Sequence, residues 1–254
     1  LSNGVNYFVP HAFSPRYPDR DCPPHFYAAG TNAQFGAFSR LMQYMRRGAH
    51  MISGGVRRVP AAVLYNAEAE WSGGACAFPQ EAGKALTRGQ IEFGVLWEDV
   101  LPRCEAAGGV LRCGEEEYRA LVVPESDYLP RAMCREIMRI AAGGVPVLVA
   151  GARVPRALPG GEALPLEASP LGELAARLRA LGAADVTLEP ASPLVRYYRV
   201  TRDGADVYCI LSEDWYREAR FTLRLPSDAP VRVHDAWENR LYTPRQRGCE
   251  VELW

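Results

Sequence analysis

Three runs of unbroken apolar residues constrain this chain most: "AAVLY" at 61–65, "ALVV" at 120–123 and "VPVLVA" at 145–150. A fourth, weaker run covers Phe93 to Leu96. Strands exposed on one face alternate apolar and polar residues. Strands covered on both faces do not, so these runs read as parallel strands buried between helices.

Helical patterns lie between them. Pro130 suits the first helical position of a segment carrying Met133, Ile137 and Ile140, which Gly143-Gly144 ends. Ser169-Pro170 opens another, with Leu171, Leu174, Leu178 and Leu181 on one face before Gly182. Alternating strands and helices over 57–190 predict an α/β fold with a doubly wound parallel sheet. The stretch "VPRALPGGEALPLEASP" reads as a surface loop, and Glu115 to Glu117 as a solvated turn.

From residue 191 the period switches to two. "VRYYRVTRDGADVYCILSED" predicts a hairpin turning at Asp203-Gly204, and further short runs to Trp254 complete an antiparallel β module. At the other end, Val5 to Val9 reads as a buried strand. The long loop from Pro10 to Tyr27 follows, then a helix capped by Asn32, striped with Phe35, Phe38, Leu41, Met42 and Met45, and stopped at Gly48. Residues 1–56 thus form one separate β/α unit.

Composition narrows the function. With 254 residues, 48% hydrophobic, 23% charged and a net charge of −1, the chain carries neither a basic field for nucleic acid nor a polybasic membrane tract. There is no apolar run long enough to span a bilayer and no signal-peptide pattern. Its seven cysteines are irregularly spaced without a CxxC pair. Reduced thiols in a cytoplasmic protein are expected, with no disulfide framework and no metal site. Neither GxSxG, GxGxxG nor GxxxxGK[ST] occurs, and no cofactor is implied.

Two groups of residues carry candidate chemistry. Glu68, Glu70, Glu98, Asp99, Glu125 and Asp127 follow the predicted parallel strands, on the edge where open α/β sheets bind ligands. Acidic residues there also favour the positive ends of the helices that begin at that edge. In the Pro10–Tyr27 loop, His11, Phe13, His25 and Tyr27, with Tyr17 and Phe26, offer stacking faces and hydrogen bonds suited to a sugar ring. Alternatively, the aromatics seal the loop onto its own helix. Trp71, Trp97 and Trp215 are lesser candidates for sugar platforms, while His50 and His234 read as structural.

The order of "VNYFVPHAFSP", "PPHFYAAGTNAQFGAFSRLMQYMRRGAHMISGG", "RVPAAVLYNAEAEW", "FGVLWEDVL", "YRALVVPESDYLP" and "AAGGVPVLVAG" resembles the later part of bacterial glycoside hydrolases. The nearest are the α-L-rhamnosidase-like group (family 106) and the family-42 β-galactosidases. The resemblance runs to about Gly151. It implies a catalytic (β/α)8 barrel, then a flavodoxin- or class I glutamine amidotransferase-like domain, then a β-sandwich. On that reading Val5 to Val9 is the last barrel strand, 32–47 the last barrel helix, and the 10–27 loop part of the sugar-facing rim. Barrel carboxylates of such enzymes come from earlier strands, so no residue here inherits a catalytic role. His11, Phe13, His25 and Tyr27 inherit substrate contact only. The expected function is therefore part of a glycoside hydrolase acting on terminal glycosidic bonds of a carbohydrate substrate, inactive by itself. The alternative is a non-catalytic oligomerisation domain, since the equivalent domain of family-42 relatives helps assemble trimers.

Overall fold

The computed structural model describes residues 1–11, 14–20 and 25–254. Helix α1 (Phe35–Ile52) leads into the short strand β1 (Val56–Arg57). Next come β2 (Ala61–Tyr65), α2 (Ala67–Trp71), α3 (Pro79–Arg88) and β3 (Phe93–Trp97). A small antiparallel sheet of β4 (Glu105–Ala107), β5 (Val110–Cys113) and β6 (Glu116–Tyr118) precedes β7 (Ala120–Pro124). The chain continues through β8 (Tyr128–Pro130), α4 (Arg131–Ala142), β9 (Val147–Ala150), β10 (Arg156–Leu158), β11 (Glu167–Ser169) and α5 (Leu171–Ala180).

Five strands form the central sheet in the order β3-β2-β7-β9-β11, and every pairing is parallel. Numbered among themselves they run 2-1-3-4-5, so the order reverses direction beside β2. Successive side chains leave opposite faces, and the core divides accordingly. Ala62, Leu64, Leu121, Val123, Val147 and Val149 meet Met133, Ile137 and Ile140 of α4 on one face. Ala61, Val63, Ala120, Val122, Leu148 and Ala150 meet Ala82 and Leu86 of α3 and Leu174 and Leu178 of α5 on the other. This two-sided burial is why the strand sequences are continuously apolar.

The remaining strands are β12 (Thr187–Glu189), β13 (Val195–Arg202), β14 (Ala205–Ser212), β15 (Phe221–Arg224), β16 (Val233–Asp235), β17 (Arg240–Tyr242), β18 (Gln246–Arg247) and β19 (Glu250–Leu253). β13 and β14 pair antiparallel along eight residues each, joined by Asp203-Gly204 with φ of 52° and 77°. Both turn residues being left-handed matches the twist of the flanking strands. The sheets β1-β13-β14 and β12-β15-β19-β18 share a core of Val186, Leu188, Val195, Tyr197 and Leu223.

Four expectations need correction. Val5 to Val9 forms no strand and belongs to no ladder among the described residues. Val5, Tyr7 and Val9 are exposed, because no neighbouring strand stands there to take their backbone bonds. The first helix runs past Gly48 to Ile52. Gly48 is buried in it at a close approach, where a Cβ would lie 2.5 Å from the Leu1 side chain. Glu116 and Glu117 belong to β6 rather than a turn. The 154–170 stretch holds two strands as well as loop. β10 pairs with β8, and β11 closes one edge of the central sheet. Three-residue strands leave too little apolar periodicity to be read from sequence.

Candidate functional site

The loop that approaches α1 is tied by polar contacts. Ser14 Oγ lies 2.6 Å from His25 Nδ1, and Asn32 Nδ2 donates to the His25 carbonyl at 2.6 Å. Asn32 Oδ1 accepts the Gln34 N–H at 2.7 Å, so Asn32 braces the loop while Gln34 holds the residue position ahead of the helix. Phe26 stacks on Phe38 of α1 with centroids 4.6 Å apart, and Tyr27 meets Phe35 edge-on at 5.1 Å. Those two aromatics seal the loop to its helix. Tyr17 remains exposed, its ring edge-on to His25 at 6.4 Å. His11 is exposed where the loop begins. Phe13 and Cys22 lie outside the described residues. His25 and Tyr27 are thus neighbours on a braced turn, whose backbone at Ala28 and Ala29 takes φ of 47° and 52°.

Between this loop, residues 8–10 and α1 lies an open apolar groove of about 560 Å³. Phe8, Val9, Phe38, Leu41, Met42 and Met45 line it, so the apolar stripe of α1 is only partly covered.

The acidic residues at the carboxyl edge separate into two arrangements. Glu125 accepts the N–H groups of Ala152 (2.8 Å) and Arg153 (2.9 Å), and Arg153 pairs with it at 3.5 Å and with Asp127 at 3.4 Å. Burial alone raises the Glu125 pKa, but these N–H bonds and the guanidinium outweigh it and hold the carboxyl below its ordinary value. Asp127 also takes the Ala75 N–H at 2.9 Å. These two carboxylates fasten the loops after α2, β7 and β9. A polar pocket of about 290 Å³ lies beside them, lined by Ser126, Tyr128, Arg153 and Arg156.

Glu98 is different. Burial, then the neighbouring Glu68 carboxyl, raise its pKa from 4.5 to about 6. Its Oε2 is buried without a hydrogen-bond partner among the described residues, as are Asn66 Nδ2 and Ser126 Oγ. Sequence places these acids along one edge but does not pair Glu68 with Glu98; strand order brings the two together.

Of the tryptophans, Trp97 packs on Tyr65 at 4.3 Å, while Trp71 and Trp215 stand exposed. His50 lies in the last turn of α1, and His234 contacts Asn239 at 3.3 Å. Among the described residues no cluster of three His, Cys, Asp or Glu is arranged to hold a metal ion, and no helix is long and apolar enough to cross a membrane.

No family model matches the chain, and no curated protein matches it. Solved structures of glycoside hydrolases do share its fold. A rhamnosidase from Novosphingobium sp. PP1Y matches 87% of this chain and 24% of its own, at 14% identity and a TM-score of 0.63. Gan42B, a GH42 β-galactosidase, matches 92% of this chain and 45% of its own, at 12% identity and a TM-score of 0.57. An α-L-fucosidase isoenzyme 2 from Paenibacillus thiaminolyticus matches 85% and 49%, at 12% identity and a TM-score of 0.54. The chain spans between about a quarter and a half of those structures.

Proposed function

We propose that this chain is an accessory part of a glycoside hydrolase whose catalytic carboxylates lie in a barrel outside these residues. Residues 1–56 would be the β/α unit that closes that barrel, 57–190 a flavodoxin- or amidotransferase-like domain, and 191–254 a β-sandwich-like module. The 2-1-3-4-5 strand order supports the second of these assignments, being that of flavodoxin-like sheets.

One observation carries the reading. Val5 to Val9 is mostly apolar and has no ladder partner among the described residues, beside a groove that leaves the apolar stripe of α1 half covered. Unpaired backbone and exposed apolar area both favour a neighbour, and a barrel strand on one side with barrel side chains beneath α1 satisfies both. Such barrels hold substrate at the carboxyl ends of their strands, and on this reading His11, His25 and Tyr27, with Phe13 of the same loop, belong to that rim. In the whole enzyme these residues would contact a sugar while two carboxyl groups elsewhere cleave its terminal glycosidic bond.

The test is to read the gene upstream of Leu1 and assay both products on aryl glycosides. The reading predicts hydrolysis by the longer protein, none by residues 1–254, and a higher KM for His25→Ala in the longer protein. Equal hydrolysis by residues 1–254 alone, or no upstream strand-helix repeats, contradicts it.

A second reading, association of copies through the α/β domain, is favoured by the outer edge of β3. Val95 and Trp97 are exposed there and no further strand pairs with it among the described residues. It predicts an oligomeric solution mass independent of concentration, which Val95→Lys reduces to the monomer. A monomeric mass for the unaltered chain excludes it.

A further inference from the structure

The segment "CEAAGGVLRC" at 104–113 is symmetric about its Gly108-Gly109 turn, with a cysteine at each end. The hairpin register pairs Glu105 with Arg112, Ala106 with Leu111 and Ala107 with Val110, so one step outward Cys104 faces Cys113. Facing residues of an antiparallel pair have Cα atoms about 4.5–5.5 Å apart, within the range a disulfide bridges. Both side chains sit against the core beneath α4. Cys104 is fixed in place: its Sγ donates to the Val100 carbonyl at 3.4 Å, and its own carbonyl accepts from Arg139 of α4 at 3.0 Å. No other two cysteines among the described residues share such a facing position on a ladder.

We infer that Cys104 and Cys113 form a dithiol site that a low-molecular-weight disulfide oxidises to an intrachain disulfide. The half-buried Cys113 meets the oxidant first, as its thiolate. It attacks one sulfur of the small disulfide, forming a mixed disulfide and expelling one small thiolate, which takes up the proton Cys113 lost. Cys104 then gives up its proton and attacks the Cys113 sulfur. The second small thiolate leaves and takes up that proton. Two protein thiols and one small disulfide thus become one protein disulfide and two small thiols. Burial, then Cys113, push the Cys104 thiol up to about 12, so the second step is the slow one.

The experiment treats the folded full chain with oxidised glutathione, alkylates remaining thiols in denaturant and maps the peptides. The expected product links Cys104 to Cys113, with a circular dichroism spectrum unchanged from the reduced chain. Cys104→Ala stops at glutathione bound to Cys113, and Cys113→Ser leaves Cys104 reduced. A Cys104 that stays open to alkylation in the unaltered chain overturns the inference. So does a link to any other cysteine, or a link that forms only when denaturant accompanies the oxidant.

Discussion

Arg57 reaches Glu92 at 2.9 Å and the Phe93 carbonyl at 2.6 Å, fastening β1 of the antiparallel sheet to the start of β3 in the parallel one. The Glu92 side chain is 11% exposed, and burial raises its pKa despite the guanidinium beside it. Close by, Asp185 takes Arg119 and Arg199, and Arg199 continues to Asp206 at 2.8 Å. Charges shared between two sheets restrict how the sheets sit on each other, and each becomes costly when its partner is removed.

Arg57→Met therefore leaves Glu92 buried and unpaired. Urea unfolding should show a loss of about 3 kcal/mol, and Glu92→Gln added to Arg57→Met should recover part of it. An unchanged midpoint for Arg57→Met would show that the pair does not join the sheets.

Glu98 makes stability depend on pH. Its folded pKa, about 6, lies above its ordinary 4.5, so the folded state holds the proton more tightly than the unfolded one. The stability this gives is complete below pH 4.5 and lost as pH rises through about 6. Partial exposure of the residue to solvent keeps the effect below ~1 kcal/mol. Thermal melts across that window should slope for the unaltered chain and flatten for Glu98→Gln.

Gly94 of β3 has no room for a side chain. A Cβ there would lie 2.6 Å from the hydroxyl of the fully buried Tyr118, which donates to Glu116. Gly94→Ala should cost about 1–3 kcal/mol by chemical denaturation, and Tyr118→Phe should offset part of that cost.

Ala29 sits at φ 52° and ψ 31° in the turn before α1. Left-handed backbone is unfavourable for a residue with a Cβ, so Ala29→Gly should raise stability by up to about 1 kcal/mol after the entropy that glycine adds to the unfolded chain. The melting temperature reports the sign.

Much of the central architecture could be read from residues. Three runs are apolar because both faces of the sheet are covered there, and the weaker fourth, at β3, lies on the sheet's edge with Val95 and Trp97 exposed; all four fall in the parallel sheet. Asp203-Gly204 marked its hairpin because few residues adopt that turn. β10 and β11 escaped notice because their three-residue lengths sit in proline- and glycine-rich sequence. Glu68 and Glu98 come together only through strand order, which no local pattern encodes. Cys104 and Cys113 did leave a signal, the symmetric spacing around Gly108-Gly109. Val5 to Val9 has the composition of a strand but pairs with none among the described residues.

Leu41 of α1 tests the groove without touching a core. It is 41% exposed, so Leu41→Glu should change the stability of residues 1–254 by less than about 0.5 kcal/mol. The same substitution should weaken attachment to the proposed barrel in the longer protein, seen as faster limited proteolysis between the two parts.

The unpaired segment itself gives the most direct measurement. Amide hydrogen exchange of residues 5–9 should be fast in residues 1–254 alone and strongly slowed when the same residues are joined to the proposed upstream barrel. Slow exchange in the shorter chain, or fast exchange in both, would contradict the account.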